Sequence, residues 1–328
     1  MSQQRIPISV EILADMETPL SVFKKLGNKP FSYLFESVEG GEKWARYSLI
    51  GLPSSTVIKV YKNEIQIYED GQVVEEVTSQ DPLKFLEEYQ ENINVKLNDE
   101  LPAFTGGLVG YLGYDCIRYI EPKLSSSNLP DPLGTPDALF MVSEEVAVFD
   151  NLHNKLHLIV LSKSESEKDI ARAEERLRDL SDKLNHPLIQ ENSEEITDPV
   201  TEKDFISGFG EKEFKQSVEK IKEYIKAGDV FQVNLSREWH GKINNKYSAC
   251  DIFSKLKKTN PSPFSGLVTY KNKAIISSSP ERLIRVKNGH IETRPIAGTR
   301  ERGGSGIYDV ALSQDLLSNK KERAEHIM

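Results

Sequence analysis

The chain has 328 residues, enough for two domains or one large one, since a domain usually takes about 100–200 residues. Hydrophobic residues make up 38% and charged residues 28%, and the net charge of −9 argues against a surface that coats nucleic acid. The two cysteines, Cys116 and Cys250, match no metal-ligand spacing, so neither a disulfide framework nor a zinc site is predicted. The first thirty residues carry charges throughout and contain no long apolar run, which favours a cytoplasmic protein without a membrane segment.

Alternating apolar and polar residues from Ser54 to about Val77 predict a β-meander. Asp81-Pro82 then begins a short predicted helix, with a capping residue followed by proline at the first helical position. Two further apolar runs, Leu139 to Phe149 and Leu156 to Leu161, are separated by a polar turn. They predict a hairpin of the same sheet as the meander.

The composition changes between Ser162 and about Thr201, where a charged helical segment runs into an acidic, apolar-poor stretch. We therefore predict two domains, residues 1–195 and 200–328. After the boundary, an apolar stripe from Phe214 to Ile225 predicts an amphipathic helix that ends at Gly228.

Three apolar runs in the second part of the chain predict strands: Val230 to Leu235, Phe264 to Tyr270 and Ala274 to Val286. Strands and helices do not alternate regularly along the sequence. The pattern therefore indicates an α+β fold and argues against a doubly wound parallel sheet.

The segment Lys321 to His326 is predicted to be helical and places Glu322 and Glu325 three residues apart on one face. Paired carboxylates of this kind suit Mg²⁺, a hard cation that takes oxygen ligands and keeps several waters. The same spacing is more typical of a solvated helix face, and the local pattern alone favours that interpretation.

Glu281 follows Ser279-Pro280 at the end of a strand-like run, where proline removes a ladder donor and moves the next residue to the sheet margin. A carboxyl group there suits a general acid, and it equally suits an ordinary turn. The loop from Thr293 to Arg300 combines two arginines, whose forked side chains suit carboxylate groups, with Gly298, which permits close backbone approach.

Taken in order, these segments resemble the chorismate-using enzymes, and specifically the large subunit of anthranilate synthase. The resemblance rests on seven segments at the spacing of that family: Tyr33 to Gly41, Trp44 to Ser48, Tyr224 to Ser236, Asn260 to Phe264, Ser279 to Glu281, Pro295 to Thr299 and Lys321 to His326. It implies an α+β fold of the anthranilate synthase type with two β-sheets and flanking helices. It also implies that residues 1–195 are a regulatory or structural domain and that the chorismate-binding catalytic domain begins at residue 200.

Two positions narrow the reaction that the resemblance implies. Enzymes of the superfamily that add water to chorismate carry a lysine base where this chain has Gln232, and an amide cannot accept a proton from an attacking water. Aminodeoxychorismate synthases often carry a nucleophilic lysine where this chain has Ala297, which forms no covalent adduct. Direct attack by ammonia remains, as in anthranilate synthase. Aminodeoxychorismate synthase component I is the nearest enzyme alternative, and a non-catalytic tryptophan-binding fragment is the alternative of another class.

The resemblance also assigns roles at the active site. It implies Mg²⁺ as cofactor, with Glu325 as a direct ligand and Glu322 beside it acting through water. Glu281 would protonate the departing hydroxyl, Gln232 and Thr299 would complete the catalytic positions, and Gly298 and Ala297 would bind the substrate.

A site for tryptophan as feedback inhibitor is implied as well, formed by residues of both predicted domains. Its residues are Leu34, Glu36, Ser37, Arg46, Pro263 and Phe264. A site built from two domains can couple effector binding to domain orientation. Leu34 and Phe35 equally suit the core of a strand, and Ser37 a turn, so a purely structural role stays open.

The resemblance implies a glutamine amidotransferase subunit as the source of ammonia, and neither Cys116 nor Cys250 has the glycine-rich setting of an amidotransferase nucleophile. Members of the resembled family continue beyond the last predicted helix with further magnesium carboxylates, a histidine and an arginine. We therefore expect the 328-residue polypeptide by itself to be inactive and its second domain to be poorly stable.

Overall fold

In the computed structural model, the residues described are 4–37, 46–96, 98–124, 131–188, 200–244 and 246–328. The chain forms two compact units, of which the first comprises residues Met1–Leu188 and Ile252–Met328 and the second Ile189–Asp251. The predicted domain boundary near residues 195–200 falls almost wholly outside the described residues, so that division stays a prediction. Residues 38–45, which belong to two of the segments that carry the resemblance, also lie outside them.

The strands of the described residues are, in chain order, β1 (Ile6–Leu13), β2 (Ser32–Glu36), β3 (Tyr47–Gly51), β4 (Thr56–Tyr61), β5 (Glu64–Glu69), β6 (Gln72–Thr78), β7 (Gly107–Leu112), β8 (Ala138–Ser143), β9 (Glu145–Asp150), β10 (Lys155–Ser162), β11 (Phe205–Ser207), β12 (Trp239–Gly241), β13 (Phe264–Tyr270), β14 (Lys273–Ser279), β15 (Arg282–Lys287) and β16 (His290–Arg294). The α-helices are α1 (Pro19–Val22), α2 (Pro82–Asn92), α3 (Ile117–Ile120), α4 (Glu167–Asn185), α5 (Glu211–Ala227), α6 (Ala249–Thr259), α7 (Gly306–Ser318) and α8 (Lys320–Ile327). This mixture confirms the predicted α+β class. None of the helices in the described ranges is long and apolar enough to cross a bilayer.

Two antiparallel sheets dominate the first unit. The larger has seven strands in the order β1-β10-β9-β3-β2-β13-β14, and the smaller has five in the order β6-β5-β4-β8-β7. Strand β13, from late in the chain, pairs with β2, from its early part, so segments that are distant in sequence share one sheet. The strand pairs β11-β12 and β15-β16 form separate two-stranded sheets.

Local sequence signals account for several of these elements. The predicted meander is β4, β5 and β6, and α2 begins after Asp81, whose Oδ1 accepts a hydrogen bond from the Lys84 backbone N–H at 3.0 Å. Helix α4 buries Leu177, Leu180 and Leu184 along one face, which packs on β10 and β1. Helix α5 ends at Gly228, whose φ of 84° lies in the left-handed region that favours glycine. The meander, the start of α2, the helical segment at α4 and the end of α5 agree with the sequence prediction.

The hairpin predicted for the meander's sheet was wrong in part. The apolar run from Leu139 to Phe149 contains two strands: β8 pairs with β4 in the five-stranded sheet, whereas β9 pairs with β10 in the seven-stranded sheet. The chain crosses between the sheets at Glu144. An apolar run suits a strand of either sheet equally well, so hydrophobic periodicity does not reveal the crossing.

Two other predicted strands also differ from the structure. The segment Val230 to Leu235 is irregular, pairs with no strand among the described residues and leaves Phe231 88% exposed. An apolar pattern forms a strand only where a neighbouring strand and a core are available to it. The run Ala274 to Val286 is divided into β14 and β15 at Pro280, which has no N–H for a sheet ladder.

The main core lies between the two sheets. It contains Tyr33 and Val268 from the seven-stranded sheet and Val57, Leu139 and Met141 from the five-stranded sheet. The opposite face of the five-stranded sheet carries a second cluster, which helix α2 covers. Successive residues of β4 therefore alternate between two buried environments.

Lys59 lies on β4 and is only 4% exposed. Its Nζ sits 3.7 Å from the centroid of the Tyr68 ring and 5.8 Å from that of Phe31, and it forms no ion pair with a carboxylate in the described ranges. Burial, together with the neighbouring charge of Lys271, lowers the pKa of Lys59 to about 8. The favourable contact with aromatic rings offsets only part of the cost of burying the charge.

This lysine makes stability depend on pH. Between about pH 8 and the ordinary lysine pKa near 10.4, the unfolded chain holds a proton that the folded chain has released, so stability rises with pH across that window. We expect Lys59→Met to raise the free energy of unfolding at pH 7 by about 1–3 kcal/mol and to flatten its rise between pH 8 and 10. Urea unfolding at several pH values measures the free energy of unfolding and its dependence on pH. Lys62→Met, at an exposed lysine after the same strand, is the control, and an unchanged pH dependence in Lys59→Met would contradict the assignment.

Candidate functional site

Glu281 follows strand β14, which lies at the edge of the seven-stranded sheet. Pro280 ends the strand, and the Ser279 Oγ donates to the Glu281 backbone carbonyl at 3.0 Å and accepts from the Glu281 N–H at 3.4 Å. The Glu281 carboxylate accepts a hydrogen bond from the Ile296 N–H at 3.2 Å. The predicted acid is therefore hydrogen-bonded to the predicted substrate loop. Glu281 is exposed, and nearby Leu283 is 88% exposed.

Gly298 allows a carboxylate to approach the loop closely. A Cβ at this position would lie 2.1 Å from Oε2 of Glu322 and 3.0 Å from Cδ1 of Leu316. Glu322, on helix α8, is thus in contact with the backbone of the loop. The structure brings together two residues, Gly298 and Glu322, that the sequence assigned to substrate and metal binding separately.

Arg300 binds the other oxygen of the Glu322 carboxylate. Its Nη1 lies 3.1 Å from Oε1 of Glu322, and its Nε lies 2.8 Å from Oδ2 of Asp315 on helix α7. The hydrogen bonds to Asp315 and Glu322 raise the pKa of Arg300 above its ordinary value. The forked side chain expected to suit carboxylates therefore binds two of the protein's own carboxylates and links α7 to α8.

The predicted magnesium ligands share one short helix. Helix α8 begins after Asn319, whose Oδ1 accepts from the N–H groups of Lys321 and Glu322 at 3.0 and 3.2 Å. Glu325 lies one turn further on, with its Oε1 3.6 Å from Lys321 Nζ. In the part of the chain that the structure describes, no group of three His, Cys, Asp or Glu side chains converges. Mg²⁺ commonly takes most of its ligands from water and substrate, so two carboxylates could suffice, and the magnesium site stays a prediction.

The remaining predicted catalytic and substrate residues occupy different settings. Ala297 is half-buried, and Thr299 is exposed, with its carbonyl accepting from Arg300 Nη1 at 2.9 Å. Gln232 belongs to the second unit, where it is exposed in the irregular segment that follows α5. The role of each stays a prediction.

A pocket of about 420 Å³ opens where β2 meets β13, and we call it the β2–β13 pocket. Its lining combines aromatic rings with serine hydroxyls and comprises Phe35, Glu36, Ser37, Tyr47, Leu49, Pro263, Phe264, Ser265, Gly266, Ser277 and Ser279. Four of the six predicted tryptophan-binding residues are among them: Glu36, Ser37, Pro263 and Phe264.

The other two predicted inhibitor residues have structural contacts of their own. Leu34 is fully buried between Ile50 and Leu267 in the sheet. Arg46 donates to Asp150 Oδ2 at 2.8 Å, and Asp150 is almost fully buried. Burial would raise the pKa of the Asp150 carboxyl, but the hydrogen bonds from Arg46 and His153 outweigh it and hold the pKa at about 2.

Sequence analysis missed the partner of Glu36. Lys257, on helix α6, places Nζ 2.6 Å from Glu36 Oε2, and both side chains are less than one-fifth exposed. Glu36 and Lys257 are 221 residues apart, so no local pattern links them. The sequence contains one signal for this contact: a charged lysine lies beside the apolar face of an amphipathic helix.

The chain belongs to the chorismate binding enzyme family, whose family profile matches residues 33–328. It is 45% identical to the anthranilate synthase component 1 of Pseudomonas aeruginosa over 325 residues, which is 99% of this chain and 66% of that protein. Its identity to the protein of that name from Neisseria meningitidis serogroup B is 42%, over 99% of this chain and 65% of the relative.

Among solved structures, the fold is similar to that of anthranilate synthase component I from Streptococcus pneumoniae TIGR4. The TM-score is 0.71 at 31% identity, covering 97% of this chain and 66% of that one. The chain thus spans about two thirds of the length of the relatives it matches. The similarity agrees with the fold type that the sequence predicted.

The ion pair between Glu36 and Lys257 provides a test of how the pocket is held together. We expect Lys257→Met to lower the free energy of unfolding by about 1–3 kcal/mol, because it leaves a largely buried carboxylate without its partner. Urea unfolding measures this. Lys258→Met, at the exposed neighbour, is the matched control. Equal stability of the two variants would contradict a stabilising role for the pair.

Proposed function

We propose that the protein is the large subunit of anthranilate synthase and converts chorismate and ammonia to anthranilate, pyruvate and water. The observation that carries the proposal is the 45% identity to a curated anthranilate synthase component 1 across 99% of this chain. Ala297 supports this choice over aminodeoxychorismate synthase, because alanine has no amine with which to form a covalent adduct. The enzyme is a lyase in this proposal and acts in the cytoplasm.

The proposed reaction assigns roles to Glu281, to Gln232 and to the residues of the loop. Ammonia forms a bond to the ring, and the ring hydroxyl leaves as water with a proton from Glu281. The enolpyruvyl group then leaves as pyruvate together with the ring proton, which restores aromaticity. Gln232 lacks the basicity to activate water, which disfavours hydroxylation of the ring. Gly298, Ala297 and Thr299 form the wall against which the substrate is oriented.

Mg²⁺ is the proposed cofactor, with Glu325 and Glu322 as the residues that would hold it. When bound, it would supply positive charge for the carboxylate of the substrate. Arg300 and Gly298 orient the Glu322 carboxylate through the contacts described above. The proposed partner is a glutamine amidotransferase subunit that delivers ammonia.

Product analysis tests the proposed reaction on the full-length gene product. With chorismate, Mg²⁺ and ammonium, we expect anthranilate fluorescence without a second lyase, and Glu281→Gln should lower kcat about 10²- to 10⁴-fold because it removes the acid. Glu301→Gln, at the exposed glutamate that follows the loop, is the control. Accumulation of aminodeoxychorismate would favour the alternative enzyme, and full activity of Glu281→Gln would exclude Glu281 as the acid.

We also propose that the β2–β13 pocket binds tryptophan as a feedback inhibitor. Its volume of about 420 Å³ accommodates an indole ring, and Phe35, Tyr47 and Phe264 offer aromatic surface for it. The carboxylate of Glu36 and the hydroxyl of Ser37 are suited to the polar end of an amino acid.

Calorimetric titration with tryptophan tests the pocket. We expect binding to the wild-type chain and an affinity about 10- to 100-fold lower in Ser37→Ala, the usual cost of losing a hydrogen bond to a charged group. Ser313→Ala, on the exposed face of helix α7, should bind as the wild type does. Equal affinities in Ser37→Ala and the wild type would remove Ser37 from the site.

A further inference from the structure

Ser279 is the last residue of β14 and belongs to two places at once. It is among the residues that line the β2–β13 pocket, and its Oγ both donates to the Glu281 carbonyl at 3.0 Å and accepts from the Glu281 N–H at 3.4 Å. One residue therefore belongs to the proposed effector pocket and is also hydrogen-bonded to the backbone of the proposed catalytic acid.

The neighbouring serines do not have this double contact. Ser277 lies two residues earlier on the same face of β14 and lines the same pocket, but it has no hydrogen bond to Glu281 in the described structure. Ser278 lies on the opposite face, where its Oγ donates to the Asn260 carbonyl at 2.5 Å. Of the three, Ser279 alone contacts both the pocket and the acid.

The segment between Ser279 and Glu281 is short and stiff. Pro280 fixes its own φ and has no N–H, so few backbone rotations separate the serine from the glutamate. The side-chain carboxylate of Glu281 accepts a hydrogen bond from the Ile296 N–H of the substrate loop. A displacement of Ser279 is therefore passed to the carboxyl group and to the loop that it contacts.

We propose that Ser279 is a positioning residue for Glu281 through which ligand bound in the β2–β13 pocket acts on the acid; this inference rests on the proposed function. A hydroxyl has a single hydrogen to donate, and Ser279 donates it to the Glu281 carbonyl. A carboxylate in the pocket that accepts this hydrogen withdraws it from Glu281. The turn that holds the acid then loosens, and binding at the pocket opposes binding of substrate.

The experiment measures the tryptophan dissociation constant of the full-length gene product with and without saturating chorismate. The ratio of the two constants is the coupling between the sites, and typical allosteric ratios are about 5–150. We expect a ratio in this range for the wild type and for Ser277→Ala, and a ratio within about twofold of one for Ser279→Ala. Ser279→Thr, which keeps the hydroxyl, should restore most of the coupling.

The outcomes separate this inference from the proposed function. A wild-type ratio near one, or no tryptophan binding, would overturn the proposed regulation and the inference with it. A ratio in Ser279→Ala equal to that of the wild type would overturn only the role of Ser279, as would equal losses in Ser277→Ala and Ser279→Ala. If Ser279→Ala does not fold, the isosteric pair Ser279→Thr and Ser279→Val replaces it, with coupling expected in the threonine variant alone.

Discussion

The pairing of β2 with β13 connects the early strands of the first unit to the segment that carries the candidate site. It places Leu34 opposite Leu267, both fully buried, and joins Ser32 to Thr269 through side chains that are 237 residues apart in sequence. Loop-closure entropy grows only slowly with length, so burial of this central pair offsets the cost of bringing such distant segments together. Because β13 continues into β14 and Pro280, the same pairing determines where Glu281 lies.

Local structure could be predicted from the sequence where the signal is itself local. Asp81 caps α2, and Gly228 ends α5 in the left-handed region, so both boundaries follow from single residue types. The crossing between sheets at Glu144 could not be predicted, since it depends on which sheet has room for each strand. Val230 to Leu235 shows the opposite case, in which a strand-like pattern has no partner in the described residues and stays irregular.

The same distinction between local and tertiary signals applies to the candidate site. The resemblance predicted roles for Glu281, Gly298, Glu322 and Glu325, because a motif specifies residue type and order. It did not identify Ser279 as a hydrogen-bond partner of Glu281 or Asp315 as a partner of Arg300, because a motif carries no information about which side chains meet. Such contacts follow from the end of a strand and from the packing of two helices, and both are tertiary features.

The loop from Pro295 to Arg300 connects the proposed acid to the proposed metal ligand. Its Ile296 N–H holds Glu281, Gly298 leaves room for Oε2 of Glu322, and Arg300 binds Oε1 of the same carboxylate. The two carboxyl groups are therefore positioned by one short stretch of backbone. A change anywhere in this stretch acts on both groups together, so the contributions of Glu281 and Glu322 are not independent quantities that can be added.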